Sequence, residues 1–387
     1  MRHISVVAIA GLTALGSLMQ PAWSQEPIKI GVMFPLTGPV SAQGAPERDA
    51  VKQAFDEENN TVAGRKIELL YEDSAGKPDL GLTKTKAQVE RDKVNLLLSE
   101  LVSSVGAAMA PYVNEQKIPW VSTVALASLT RAEKSPYIFR FVPSSYQFGL
   151  VASKATQKMG WKKAYFIGWN APPSREAYAV VKKVYGDDNV LEAMFPNVGT
   201  ADYAPYLTKM DAKADGIFAA MWGSDSARIT QQYTEYGLNK KMPLFGIASF
   251  TSEEVLGNMP PESVGVMSAY TYCGTLDTPE NKKFVDGYKA RYNAVPGSYP
   301  YMGYTAAKMV IQALRDINGR VEDKDAFIAA LGKVQLKGPM GMASFDEHHG
   351  LVADFFPLTV EKGQDGRLQN RCGERIPQVK DPYDMFP

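Results

Sequence analysis

Short groups of residues in this chain combine hydroxyls, backbone amides and aromatic rings in a way that suits a small organic acid. Ser103 and Ser104 follow an apolar run that ends near Leu98 and open a helical pattern. A helix start offers free N–H groups and a partial positive charge, and two hydroxyls beside it fit a carboxylate. Serine is a favoured N-cap with or without a ligand, so capping and binding are both open readings. Ser122, Thr123, Val124 and Ala125 follow the next apolar run and are expected to bring hydroxyls and amides to the same point. Trp222 ends a later run just before Ser224, either as the wall of an apolar pocket or as interdomain packing. Tyr146 and Gln147 lie where the chain is expected to pass first between two domains. Tyr299, Tyr301 and Tyr304 cluster later, and packing of a surface helix accounts for them equally well.

Enzyme chemistry has little to work with. The histidines are His3, near the start, and the adjacent His348 and His349. Asp346-Glu347-His348-His349 could hold a metal, but adjacent side chains diverge and metal sites gather ligands from several elements, so a solvated turn ending in Gly350 is expected. No glycine-rich nucleotide or phosphate loop, no Gly-x-Ser-x-Gly and no Cys-x-x-Cys occurs, and no cofactor is implied. Carboxylate chemistry of an exported hydrolase is the reading from another class that stays open.

The elements that must position these residues repeat. Strands are expected at 28–34, 66–71, 95–98 and 120–123, and again at 163–168, 190–195, 216–221 and 244–247. Helical patterns fill the gaps at 45–58, 81–91 and 104–116, then 174–185, 203–212 and 224–236. Alternation of this kind builds parallel sheets covered by helices, which bind ligands beyond the carboxyl ends of their strands. After 279 two further helices, 279–293 and 304–318, come too late for the second repeat and are expected to return to the first lobe. Strands at 343–345 and 356–361 and a tail rich in Pro, Asp and Arg close the chain. The expected architecture is α/β: two Rossmann-like lobes with parallel sheets flanked by helices and three interlobe crossovers. Lobe 1 takes 25–144 and 273–345, and lobe 2 takes 145–272 and 346–387.

Composition and ends narrow the setting. Arg2 and His3, an apolar run from Ile4 to Met19 and small residues Ala22 and Ser24 form the pattern of a cleaved signal peptide, residues 1–24. The apolar run is shorter than the roughly 20 residues that span a bilayer, and no later stretch qualifies. Export to the periplasm as a protein not embedded in the membrane is the expectation. Lys plus Arg and Asp plus Glu both number 42, which gives no basic excess for nucleic acid. Cys273 and Cys372, in an oxidising compartment, are expected to form a disulfide holding the tail to the body, two buried thiols being the alternative.

With these residues placed, the chain resembles the branched-chain amino-acid (Leu/Ile/Val) binding family, type I periplasmic substrate-binding proteins of ABC transporters. Ile30-Gly31-Val32-Met33-Phe34-Pro35-Leu36-Thr37-Gly38-Pro39 is similar to the family's first strand and turn, and Leu69-Leu70-Tyr71-Glu72-Asp73-Ser74 to its second strand. Leu101-Val102-Ser103-Ser104, Ile118-Pro119-Trp120-Val121-Ser122-Thr123, Phe139-Arg140 and Tyr236-Gly237-Leu238 continue the match in order. The resemblance implies two lobes that close on a ligand, a permease partner and a monomeric shuttle; a sensory receptor of the same fold is the nearby alternative. It also implies departures. The family's carboxylate-binding Thr falls on Leu126, its ammonium-binding acids on Ser145 and Ala248, and its second-lobe Tyr on Trp222. The positions of its usual disulfide fall near Ala75 and Val102. A desolvated ammonium without a carboxylate costs several kcal/mol, so the expected ligand is a carboxylate with a neutral, planar body, such as an aromatic acid. Ser103, Ser122, Thr123 and nearby amides would hold the acid, with Trp222 and Tyr146 around the ring. An aliphatic acid, an amide or an amino acid are the alternatives.

Overall fold

Strands covered on both faces read as unbroken apolar runs, and the segment Ile28–Phe34 has this character, with six of its seven residues buried. The computed structural model describes residues 26–38, 40–131, 135–211 and 213–386; the expected leader lies outside the described residues. The first sheet contains β1 (Ile28–Phe34), β2 (Thr61–Val62), β3 (Arg65–Asp73), β4 (Leu96–Ser99), β5 (Trp120–Ser122) and β6 (Ile138–Arg140) in the order β2-β3-β1-β4-β5-β6. All its pairings are parallel except the β2–β3 hairpin. Gly31 permits the close approach at its centre, because a Cβ there would lie 2.8 Å from the Gln88 amide oxygen and 2.9 Å from Leu97.

The second sheet has a parallel core of β7 (Ala164–Gly168), β8 (Val190–Met194), β9 (Gly216–Ala220), β10 (Leu244–Ile247) and β11 (Met267–Tyr270). It continues antiparallel through β12 (Gln335–Gly338), β13 (Gly341–Phe345) and β14 (Leu351–Lys362), with β15 (Leu368–Cys372) and β16 (Ile376–Val379) also on β14. Two adjustments to the sequence reading follow. The tail, read from sequence only as rich in Pro, Asp and Arg, forms β15 and β16, and β13, expected with the first lobe, bonds through β14 into the second sheet.

Helices α1 (Ser41–Asp56), α2 (Pro78–Glu90) and α3 (Ser103–Gln116) cover the first sheet, and α4 (Ser145–Lys158), α5 (Pro172–Tyr185), α6 (Ala204–Leu207), α7 (Ser224–Glu235) and α8 (Glu253–Leu256) belong with the second. The expected helix 203–212 shrinks to the single turn α6. The chain then returns to the first lobe as α9 (Pro279–Tyr292), α10 (Ser298–Asp316) and α11 (Lys324–Leu331). Tyr304 and Lys308 of α10 bond Glu57 and Glu58 at the end of α1, and Tyr292 of α9 donates to the Asp49 carbonyl.

The lobes meet where the chain crosses three times, after β6, after β11 and between α11 and β14. The Arg140 amide donates to the His349 carbonyl at 2.9 Å, so the first and third crossings are hydrogen-bonded to each other. One apolar core runs through this joint, from Val32 and Val51 in the first lobe to Phe218 and Phe245 in the second. Cys273, just after β11, is disulfide-bonded to Cys372 at the end of β15, with Cα atoms 5.9 Å apart. No helix among the described residues is long and apolar enough to cross a membrane.

Candidate functional site

The backbone is strained at and just beyond the carboxyl ends of β4 and β10. Ser99 and Glu100 end β4 with φ of 70° and 80°, and Ala248 ends β10 at 59°, all without the freedom of glycine. Neighbours fix the first pair: the Trp120 indole donates to the Ser99 carbonyl and the Thr123 hydroxyl to that of Glu100, both at 2.8 Å.

On the first-lobe wall, Ser122, Thr123 and Val124 form a buried turn, and Ser122 Oγ accepts the Val124 amide at 3.1 Å. Ser122 thus keeps its own hydroxyl hydrogen to donate. Val124 itself packs against Gly106, where a Cβ would come within 2.8 Å. Ala125 is half-buried beside it. Ser103 is half-buried and Ser104 exposed at the start of α3, whose N-cap is Val102; neither serine supplies a cap. The Glu100 carboxyl fixes the turn before the helix, accepting the amides of Leu101 and Val102 at 3.0 and 2.8 Å.

The second-lobe wall carries two indoles on adjacent strands. Trp169 follows β7 and Trp222 follows β9, edge to face with centroids 4.9 Å apart. Trp169 donates to Asp225 at 2.8 Å and Trp222 to the Ile247 carbonyl at 3.1 Å. With both N–H groups committed, half-buried ring surface is what these residues can offer a ligand. Ala248 is buried at the turn beyond Ile247.

Two of the expected ligand residues have other work. Gln147 is the fourth member of a capping box at the start of α4: its Oε1 accepts the Ser144 amide and the Ser144 hydroxyl accepts its amide. Its Nε2 donates to the carbonyls of Leu351 and Val379, which ties the first crossing to β14 and the tail. The ring of Tyr146 lies 4.8 Å from Phe386 and under the Arg131 guanidinium at 4.2 Å, so the tail and a cation already cover it. A turn forms at Asp346–Gly350, but not the solvated one expected: Asp346 is buried and the histidine rings stack on Phe139 and Tyr383.

Buried acids lie close to the Ser122–Val124 turn. Glu47, from the second turn of α1, is wholly buried, and neither carboxyl oxygen has a hydrogen-bonding partner. Burial pushes it up to about 8, the Thr123 hydroxyl pulling the other way and Glu100 adding to the rise. Glu100 is itself raised by burial, against the two amides it accepts. Tyr299, at the start of α10, feels Glu47 and Glu254 and has the Ser249 hydroxyl beside its own, so it links α1 to the second-lobe turn after β10. Glu254 is raised by burial too. The sequence signal for Glu47 was slight: an acid on the face of α1 that holds Ala50, Val51 and Ala54.

Two parallel-sheet lobes hinged at three crossings, with a polar turn on one wall and indoles on the other, define a two-lobed solute-capture protein of the type I fold. Over residues 27–365 the chain matches the family model described as periplasmic binding protein. Its curated relatives include Leu/Ile/Val-binding protein homolog 6 of Brucella melitensis, 26% identical over 99% of both chains. An ABC transporter substrate-binding protein from Sphaerobacter thermophilus is 31% identical with a TM-score of 0.88, over 92% of this chain and 99% of that one. A solute-binding protein of an ABC transporter from Rhodopseudomonas palustris BisB5, solved with 3,4-dihydroxybenzoic acid, is 28% identical with a TM-score of 0.84 over the same shares. The chain belongs to the periplasmic binding protein family, whose members bind solutes without catalysis.

Proposed function

We propose that the protein is the periplasmic solute-capturing component of an ABC importer, exported with residues 1–24 removed, and that it closes on a small aromatic carboxylic acid. The observation that carries this reading is the pair of indoles, Trp169 and Trp222, with both N–H groups already engaged. Such a wall has ring surface to offer and little else, which favours a flat apolar body. The Ser122–Val124 turn and the start of α3 supply donors for the carboxylate at the other wall. With Tyr146 covered, Tyr299 takes its place as the second aromatic at the cleft. The similarity to a protein solved with a dihydroxybenzoic acid supports the same class of ligand. Closure needs no chemistry: a ligand that touches both walls favours the closed form by its differential affinity.

A second reading has an observation of its own. Glu47 and Glu100, beside Thr123, would suit an ammonium, and curated relatives are named as Leu/Ile/Val-binding homologues. Thermal unfolding of residues 25–387 with benzoate, 4-hydroxybenzoate and leucine separates the two. A ligand at about a hundred times its Kd adds about 2.7 kcal/mol to stability. The aromatic acids are expected to raise the melting temperature and leucine to leave it unchanged; a shift with leucine alone overturns the aromatic reading.

A further inference from the structure

We infer that Glu47 serves the ligand site as a neutral carboxylic acid, donating a hydrogen bond to the bound solute's carboxylate, so that capture is linked to a proton. This rests on the carboxylate-binding reading above. Glu47 has no exposed surface, and among the described residues neither of its oxygens is hydrogen-bonded. Thr123, the hydroxyl nearby, spends its proton on the Glu100 carbonyl, so toward Glu47 it can only accept. The titratable groups that face Glu47 from the surrounding elements are Glu100 beyond β4, Tyr270 on β11 and Tyr299 on α10, with Glu254 of α8 beyond Tyr299. None is a cation, and the nearest in effect is another acid.

A carboxyl so placed holds its proton, because ionised it would be a desolvated charge beside a second acid. Neutral, it becomes a donor, as a buried protonated Asp does in an oxyanion hole. Its place beside Thr123 sets that donor next to the turn proposed for the carboxylate. An anion bound there raises the carboxyl's proton affinity further, so the complex keeps the proton that the free protein loses near pH 8. The same group, when neutral, offers an ammonium a carbonyl oxygen but no opposite charge, which favours acids over amino acids.

Benzoate is the probe, because it has no second group titrating in the alkaline range. Its Kd, measured by calorimetry from about pH 6 to about pH 10, is expected to be flat to about 8 and then to rise about tenfold per pH unit. Calorimetry at about pH 9 in two buffers of different ionisation enthalpy should report uptake of about one proton per benzoate, with no variant needed. Glu47→Ala should weaken binding about tenfold at low pH, and Glu47→Gln, which keeps a neutral donor, should recover most of that loss and remove the alkaline rise. A wild-type Kd that stays flat with no proton uptake overturns the inference while leaving the aromatic-acid reading intact. A Glu47→Gln variant that keeps the alkaline rise also overturns it. Failure of every aromatic acid to bind overturns the reading beneath it.

Discussion

A buried carboxyl that meets no cation reports itself in stability as well as in binding. Glu47 keeps its proton up to about 8 in the folded chain and gives it up near 4.5 once exposed. Between those values the folded state holds more protons than the unfolded one, so stability falls as pH rises through the window and is level above it. Glu47→Gln removes this dependence. The variant should match the wild type near pH 4.5 and melt at a progressively higher temperature than wild type up to about pH 8, by calorimetry without ligand. A constant difference between the two across that range would mean that Glu47 does not titrate there. At this scale the sequence was legible where a residue follows a strand. Ser103, Ser122, Thr123 and Trp222 all stand at strand ends because the topology requires it. Glu47 was hidden because it sits on a helix, where nothing in its spacing separates a buried acid from a surface one. Gln147 misled for the opposite reason: Ser144 and Gln147 have the capping-box spacing, which marks a helix start and not a ligand contact.

Among the elements, the joint between α1 and α10 matters most, since it sets the depth of Glu47. Gly303 of α10 makes the fit possible: a Cβ there would lie 2.7 Å from both the Glu47 Cγ and the Glu47 carbonyl oxygen, and 3.1 Å from Val51. The carbonyl is backbone and cannot turn away, so Gly303→Ala must push the helices apart. The cost is about 2 kcal/mol, read as a lower denaturant midpoint, with weakened ligand binding as Glu47 shifts. Unaltered stability would show that the helices yield freely. Most strands were legible because buried parallel strands are unbroken apolar runs; Ile28–Phe34 and Leu244–Ile247 fall where the pattern puts them. What escaped was decided by distant partners. β16, Ile376–Val379, is a strand only because β14 is there to pair with it, and α6 stops after one turn. The tail's anchor is equally non-local: Asp381 is buried between Arg131 and Arg140.

For the whole molecule, the question is what keeps a hinged pair of lobes one folding unit. The apolar core is continuous across the joint, and the tail crosses it as well, with Asp381 bound to first-lobe arginines and the Met385 carbonyl to Lys183 of α5. The Cys273–Cys372 bond closes a sequence separation of 99 residues that contains α9, α10, α11 and the strands β12 to β15. These are the elements furthest in sequence from the sheets they complete, so their return costs the most chain entropy. A cross-link of that span restricts the unfolded chain by about 4.7 kcal/mol. Cys273→Ser with Cys372→Ser should therefore lower the denaturant midpoint substantially and still give one transition, because the core through the joint is untouched. Two resolved transitions would instead mean that the bond, and not the shared core, holds the lobes in a single cooperative unit. Benzoate should protect the double variant by the same increment as the wild type, since neither cysteine faces the Ser122–Val124 turn or the indole wall.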